Sequence, residues 1–142
     1  MERFVAFDIG DRRIGVAVSD PFNSYALPSE TYFRKGFSED VAALAALARA
    51  KGATTIVCGL PLNFDGSEAV QTQKTRRFIE ALREATPIPV VCEDERFTTK
   101  MAHEVLISEG MRREKRKNFV DALAAANILD GYLSKIKKGE QQ

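Results

Sequence analysis

Four carboxylates and one amide carry the chemistry that this sequence offers. Asp8 closes a segment, from Phe4, that is otherwise continuously apolar. Such a run is expected of a strand buried on both faces. An acid at its end needs a compensating cation or a set of donors, unless it simply caps the following Gly10 turn through backbone amides. Glu93, Asp94 and Glu95 end a second apolar run. Three adjacent carboxylates repel, and strand alternation sets Glu93 and Glu95 on one face and Asp94 on the other. Glu95, nearest the sheet edge, is the favoured functional acid, with Asp94 its rival; Arg96 is a candidate salt-bridge partner for one of them. Asp121 opens a helix that is apolar on most sides, where an acid also stabilises the helix dipole. Asn118 lies three residues earlier on the same face and offers another oxygen. Asp8, Glu95 and Asp121 together would form a site of hard oxygen donors, which suits Mg²⁺ or Mn²⁺.

Several other residues are suited to phosphate. Ser67 and Thr98 or Thr99 stand at expected helix starts, where free N–H groups hold anions or the side chain merely caps. Between Arg112 and Lys117 only Glu114 is not basic. Arg112, Arg113, Lys115, Arg116 and Lys117 are therefore either a solvated loop or a contact to a nucleic-acid backbone. Arg12 and Arg13, in the turn after Asp8, and Arg96 are further nucleic-acid contact candidates. His103 falls within an expected helix, near no nucleophile pattern, and reads as surface.

The elements that must position these groups follow from periodicity. After the first strand, Gly10-Asp11-Arg12 reads as a turn and Ile14 to Val18 returns as an antiparallel partner, broken at Asp20-Pro21. A weaker strand covers Ser29 to Phe33. Val41, Leu44, Ala45 and Ala48 recur at helical spacing up to Gly52. Thr54 to Cys58 is a β-branched strand ending at Gly59; Val70, Phe78, Ile79 and Leu82 mark a long helix behind Ser67, ended by Pro87. Ile88 to Cys92 is another strand. Ala102, Val105 and Leu106 belong to a helix stopped by Gly110, and a last helix runs from about Asn118 to Lys135. The order β-β-β-α-β-α-β-α-α implies a single mixed sheet flanked by helices. Strands joined through helices are normally parallel, so Asp8, the loop after Gly59 and the segment after Glu93 converge at one sheet edge, where open α/β sheets bind ligands.

The chain has 142 residues, 21 Lys+Arg against 20 Asp+Glu, and a formal net charge of +1. The length fits one domain, taken as residues 1–138 with a solvated tail at 139–142. With 44% hydrophobic and 29% charged residues, the composition is that of a globular protein rather than a disordered one. No apolar run is long enough to span a bilayer and no signal peptide opens the chain, so a cytoplasmic protein without a membrane partner is expected. Cys58 and Cys92 each lie inside an apolar run and are expected as buried, reduced thiols. With a single His they cannot make a structural zinc site.

The segment Asp8-Ile9-Gly10-Asp11-Arg12-Arg13-Ile14-Gly15-Val16-Ala17-Val18-Ser19-Asp20 resembles the opening signature of the YqgF/RuvX family, described as pre-16S rRNA nucleases or Holliday-junction resolvases. Gly59-Leu60-Pro61 with Asp65-Gly66, then Asp94-Glu95-Arg96-Phe97-Thr98-Thr99, and Lys117 with Asp121, Ala124, Ala125, Ile128 and Leu129 are similar in the same order. The resemblance implies a ribonuclease-H-like α/β fold: a five-stranded mixed sheet, three antiparallel strands then two parallel, with helices on both faces. It implies a metal-dependent nuclease acting on structured nucleic acid, foremost at the 5′ end of pre-16S rRNA in ribosome biogenesis. Holliday-junction resolution, or a non-catalytic RNA-binding role in ribosome assembly, are its alternatives. Asp8 would be the first-strand metal ligand, Glu95 the second acid and Asp121 the acid on the last helix, around two ions about 3.5–4 Å apart. Many members of the wider superfamily carry the second acid where this chain has Gly59-Leu60-Pro61; here it comes from the next strand. The implied partners are pre-rRNA or branched DNA and the ribosome or its precursors, with the protein a monomer or a homodimer. The Asp8-Ile9-Gly10 turn with Gly15 also resembles the first phosphate loop of actin-like sugar kinases, but those close two such domains around the nucleotide and this length holds one.

Overall fold

The apolar run that ends in Asp8 forms strand β1 (Phe4–Ile9), and its neighbours build the sheet outward from it. In a computed structural model of the chain, residues 1–95 and 113–140 are described, with the backbone alone for 113–118 and 140. The helix expected after Thr98 or Thr99, with Arg96, His103 and Arg112, lies outside the described residues. β2 (Arg13–Ser19) and β3 (Ala26–Phe33) follow β1, then α1 (Phe37–Ala50), β4 (Thr55–Leu60), α2 (Val70–Ala85), β5 (Val90–Asp94) and α3 (Arg113–Glu140). The sheet order is β3-β2-β1-β4-β5. β1, β2 and β3 pair antiparallel, whereas β1 with β4 and β4 with β5 pair parallel. This is the expected mixed sheet.

Period-two alternation divides the sheet into two unlike faces. Val5, Phe7, Ile9, Ile14, Val16, Ile56, Cys58 and Leu60 pack with Val41 and Leu44 of α1 and Phe78, Ile79 and Leu82 of α2. The opposite face is built from smaller residues: Ala6, Ala17 and Val57 with Phe4 meet Ala125, Ala126, Ile128, Leu129 and Leu133 of α3. Small side chains on both partners let α3 lie close to the strands. Asp8 follows Phe4 and Ala6 in the alternation and so belongs to the α3 face.

The boundaries depart from the sequence expectations in instructive places. β3 starts at Ala26 and includes Pro28, tolerated because β3 is an edge strand. Ser67 does not cap α2, which opens at Val70 behind Ala69. The Ser67 N–H and hydroxyl both donate to Asp65 Oδ1, at 2.8 and 2.6 Å, so its amide is committed within the loop. Thr72 does the terminal work instead, accepting from the Ala69 N–H at 3.0 Å and donating to the Pro61 carbonyl. β5 begins at Val90 rather than Ile88 and carries Glu93 and Asp94 inside the strand. α3 extends beyond the expected Asn118–Lys135 span at both ends. Arg113 to Lys117 is helix, not loop, consistent with the helix propensity of Glu, Lys and Arg. Gly139 lies in the last turn of α3 rather than in a tail; Lys137 Nζ bonds the Ser24 carbonyl at 2.8 Å and holds that end down. Cys58 and Cys92 are register partners on β4 and β5, and both thiols are free. Cys58 is buried as expected, but Cys92 is exposed because β5 is an edge strand. Among the described residues, no helix is long and apolar enough to cross a membrane.

Candidate active site

Asp8 lies in the central strand between two glycines. Gly15 of β2 is its direct partner. On β4, Gly59 follows Cys58, the partner of Phe7. Each glycine makes room for a different group. A Cβ on Gly15 would stand 1.8 Å from the Asp121 carbonyl oxygen, so only glycine lets the α3 backbone settle there. A Cβ on Gly59 would stand 2.3 Å from Glu95 Oε2 and 2.4 Å from Ile128 Cδ1. Glu95, just past β5, extends its ladder by donating its N–H to the Leu60 carbonyl at 3.3 Å. Its side chain then crosses β4 above Gly59 and reaches a hydrogen bond with Asp8 on β1. A side chain on β4 at this point would block that path, which is why the second acid can stand one strand further out.

The acidic triplet is thereby sorted. Glu93 is 5% exposed and pairs with Lys135 of α3, whose Nζ donates to Oε1. Glu95 shares the Asp8 side of the sheet. Asp94, register partner of Leu60, alternates to the opposite face. Asp121 comes down from α3 onto Gly15, and its Oδ2 accepts from Arg13 Nε at 2.6 Å. Among the described residues no group of three His, Cys, Asp or Glu is arranged to hold a metal ion. Asp8 and Glu95 are a contacting pair, and Asp121 is turned to Arg13.

The electrostatics follow from this crowding. Burial raises the Glu95 carboxyl to about 9, with the Asp8 charge, the hydrogen bond to Asp8 and the Asp94 charge adding to it. Burial also raises Asp8; the Glu95 hydrogen bond lowers it in part and the Asp121 charge raises it again. At neutral pH Glu95 therefore carries the proton and donates it to the Asp8 carboxylate.

The other residues singled out in the sequence are more scattered. Arg12 is exposed on the turn, and Arg13 is engaged by Asp121. Arg113, Lys115, Arg116, Lys117 and Asn118 belong to the first turns of α3, with Asn118 three residues before Asp121. Thr98, Thr99, Arg96 and Arg112 lie outside the described residues. The Arg13–Asp121 and Glu93–Lys135 pairs escaped the sequence reading, since no local signal joins residues so far apart in the chain. Asp40, 1% exposed, also escaped it. It stands in the first turn of α1 and accepts from Arg34 Nε at 2.8 Å, Tyr32 Oη at 3.0 Å and the Lys35 N–H at 2.8 Å.

Comparison with known proteins gives one consistent answer. The family model described as "RuvX: Holliday junction resolvase" matches residues 2–135. A Clostridium kluyveri protein is 39% identical over 136 residues, covering 96% of this chain and 99% of its own length. A Syntrophus aciditrophicus protein is 41% identical, with coverages of 96% and 91%. Both carry the name "Putative pre-16S rRNA nuclease". Among solved structures, Thermus thermophilus RuvC in complex with a Holliday junction substrate superposes with a TM-score of 0.63 at 15% identity, over 97% of each chain. The Fowlpox virus resolvase bound to Holliday junction DNA gives 0.61 at 14% identity, over 94% of this chain and 98% of its own. At those identities the likeness is one of fold. The family match across nearly the whole chain, on a ribonuclease-H-like sheet, makes this protein a nuclease of the RuvX (YqgF) family.

Proposed function

We propose that the protein is a divalent-metal-dependent nuclease that matures the 5′ end of pre-16S rRNA, with Asp8, Glu95 and Asp121 as the residues that hold the cations. The observation that carries this reading is the meeting of Asp8 and Glu95 over Gly59, at the sheet edge, beneath the acid-bearing start of α3. The donor set fits Mg²⁺ or Mn²⁺: carboxylate oxygens are hard ligands, and a divalent ion is the natural replacement for the proton the pair holds. Such ions, when bound, supply an activated water and stabilise the leaving oxygen.

The chain's own residues prepare that chemistry. Asp8 is fixed by its pairing with Gly15 of β2, directly after the last β1–β4 pair, Phe7 with Cys58. Glu95 would have to give up its proton to serve as a ligand. Arg13 positions Asp121 and offsets its charge, and it stands on the turn that also presents Arg12 to solvent. Asn118 lies three residues before Asp121 in the α3 sequence, and this reading assigns it as a further oxygen donor. Substrate choice is supported by relatives of about 40% identity over nearly full length that carry the rRNA nuclease name. A four-way DNA junction is the second reading, favoured by the description of the family model.

The test compares precursor rRNA and a synthetic four-way junction side by side, with Mn²⁺ or Mg²⁺ and with EDTA. Cleavage near the 5′ end of the precursor, lost in EDTA and in Asp8→Asn, is the expected result. Junction cleavage alone would transfer the assignment to DNA. Salt-sensitive RNA binding without cleavage, indifferent to Asp8→Asn, would leave an assembly factor on a nuclease fold.

A further inference from the structure

The same sheet edge carries a second feature on the opposite face. A cavity of about 580 Å³ opens between the β1–β2 turn, the end of β3 and the helices α1 and α2. One aromatic ring of its wall, Phe37, is 42% exposed. The wall behind it is rigid: Phe37 meets the buried Phe78 edge-on at 5.7 Å, and the Arg34 guanidinium lies 5.1 Å from the Phe78 ring centre. Arg34 is committed to Asp40, and Lys74 stands 3.9 Å from Asp11. Arg12, Lys35 and Arg77 also line the cavity, and none has an ion-pair partner among the described residues. An exposed aromatic ring surrounded by uncommitted cations is the pattern that stacks a base and neutralises phosphates.

The cavity and the acids are joined through one short turn. Asp8 faces α3, and the next residue, Ile9, lines the cavity. Arg34 Nη1 bonds the Gly10 carbonyl at 2.9 Å from the cavity side, while Arg13 ties the same turn to Asp121. A strand crossing this edge reaches both places. The occupant is a polynucleotide rather than a free nucleotide, because the amides of Lys35 and Gly36, which could cradle a terminal phosphate, donate to Asp40 instead. The cations that remain are side chains spread along the rim.

We propose that this cavity takes unpaired nucleotides flanking the cleavage site, with a base stacked on Phe37 and phosphates on Arg12, Lys35 and Arg77. The proposal rests on the nuclease reading only for the identity of the strand as substrate. Fluorescence anisotropy in EDTA, where no cleavage intervenes, compares an RNA duplex bearing a short unpaired tail with the same duplex blunt. The wild type is expected to favour the tailed duplex by about fivefold or more, the low end of what stacking one base contributes. Phe37→Ala and Arg77→Glu should erase that preference, and Arg77→Glu should melt like the wild type, since its side chain is exposed. Arg77→Ala should also reduce the log–log salt slope for the tail by about 0.7. Equal wild-type affinity for tailed and blunt duplexes, or variants that keep the preference, would overturn the proposal. Efficient displacement of the tail by AMP would replace it with a free-nucleotide site. Asp8→Asn should keep the tail preference; cleavage by that variant would defeat the assignment of Asp8, and absence of cleavage by the wild type would defeat the nuclease reading, each leaving the cavity assignment standing.

Discussion

Each face of the sheet encloses acids, and the two sets are treated in opposite ways. Asp40, on the α1 side, is surrounded by donors: a guanidinium, a phenol and backbone amides. Burial acts to raise its pKa, but the Lys35 amide, Arg34, Tyr32 and the Gly36 amide outweigh burial and hold it below its ordinary value. Asp8, on the α3 side, has another acid as its hydrogen-bond partner, and its pKa is raised. A buried carboxylate given every donor it can use is structural, anchoring the entry to α1. One given a second carboxyl group as its partner keeps a raised pKa, the pattern that marks a candidate functional site. Burial alone does not separate the two; the chemistry of the partners does.

The largest effect that should separate the faces is on catalysis. Asp8→Asn is expected to reduce cleavage by about a thousandfold or more, matching the several kcal/mol that metal-ion catalysis contributes. Its melting temperature in EDTA should equal or exceed that of the wild type, because the change relieves carboxylate crowding. Product quantification beside a thermal melt checks both. Wild-type cleavage by the variant would break the comparison at its centre.

Gly15→Ala comes next, as a stability effect of about 3 kcal/mol in urea unfolding. Its Cβ meets backbone, at 1.8 Å, and α3 must shift to admit it. Asp40→Asn should cost a comparable amount, about 3 kcal/mol, because the Arg34 charge loses its buried partner. In the same melts it should lower the transition as clearly as Asp8→Asn fails to. If Asp40→Asn were neutral, its donor shell would not be the anchor described above.

Gly59→Ala is milder in stability, about 1–2 kcal/mol, because its Cβ meets the ends of flexible side chains, Glu95 Oε2 and Ile128 Cδ1. It should nevertheless depress cleavage, since Glu95 is pushed from its path to Asp8. Full activity in this variant would show that Glu95 need not cross β4. The smallest effect is on pH dependence in EDTA. Glu95 binds its proton more tightly folded than unfolded, so its contribution is present below its ordinary value of 4.5 and lost as pH rises toward about 9. The melting temperature should fall by a few degrees across that interval, and Glu95→Gln should flatten the slope. Asp40, with its lowered pKa, runs the other way: its contribution is present above 3.8 and lost as pH falls through its folded value.

The positions of the acids were legible because strand periodicity is local. Asp8 ends an apolar run, and alternation alone put Glu95 opposite in sense to Asp94. What the register of β5 added was the pairing of Asp94 with Leu60, which leaves Glu95 just beyond, on the side from which its side chain reaches back over Gly59. Ser67 was misread as a helix start because Asp65 and Gly66 mimic a capping turn, while Thr72 takes that role from inside the helix. The α3 boundaries were misread because a basic run was taken for a loop, although its residues favour helix.

The near-neutral charge balance concealed a division of labour. Acids gather on the α3 side of the edge and uncommitted cations on the other, and their sum is close to zero. By itself the sequence determined the order of the described elements and the strand-end acids, because these depend on neighbours a few residues away. The tertiary structure decided which acid Glu95 meets, which cation holds Asp121 and that Asp40 is sealed. Those facts depend on contacts between residues far apart in the chain, and no local period encodes them.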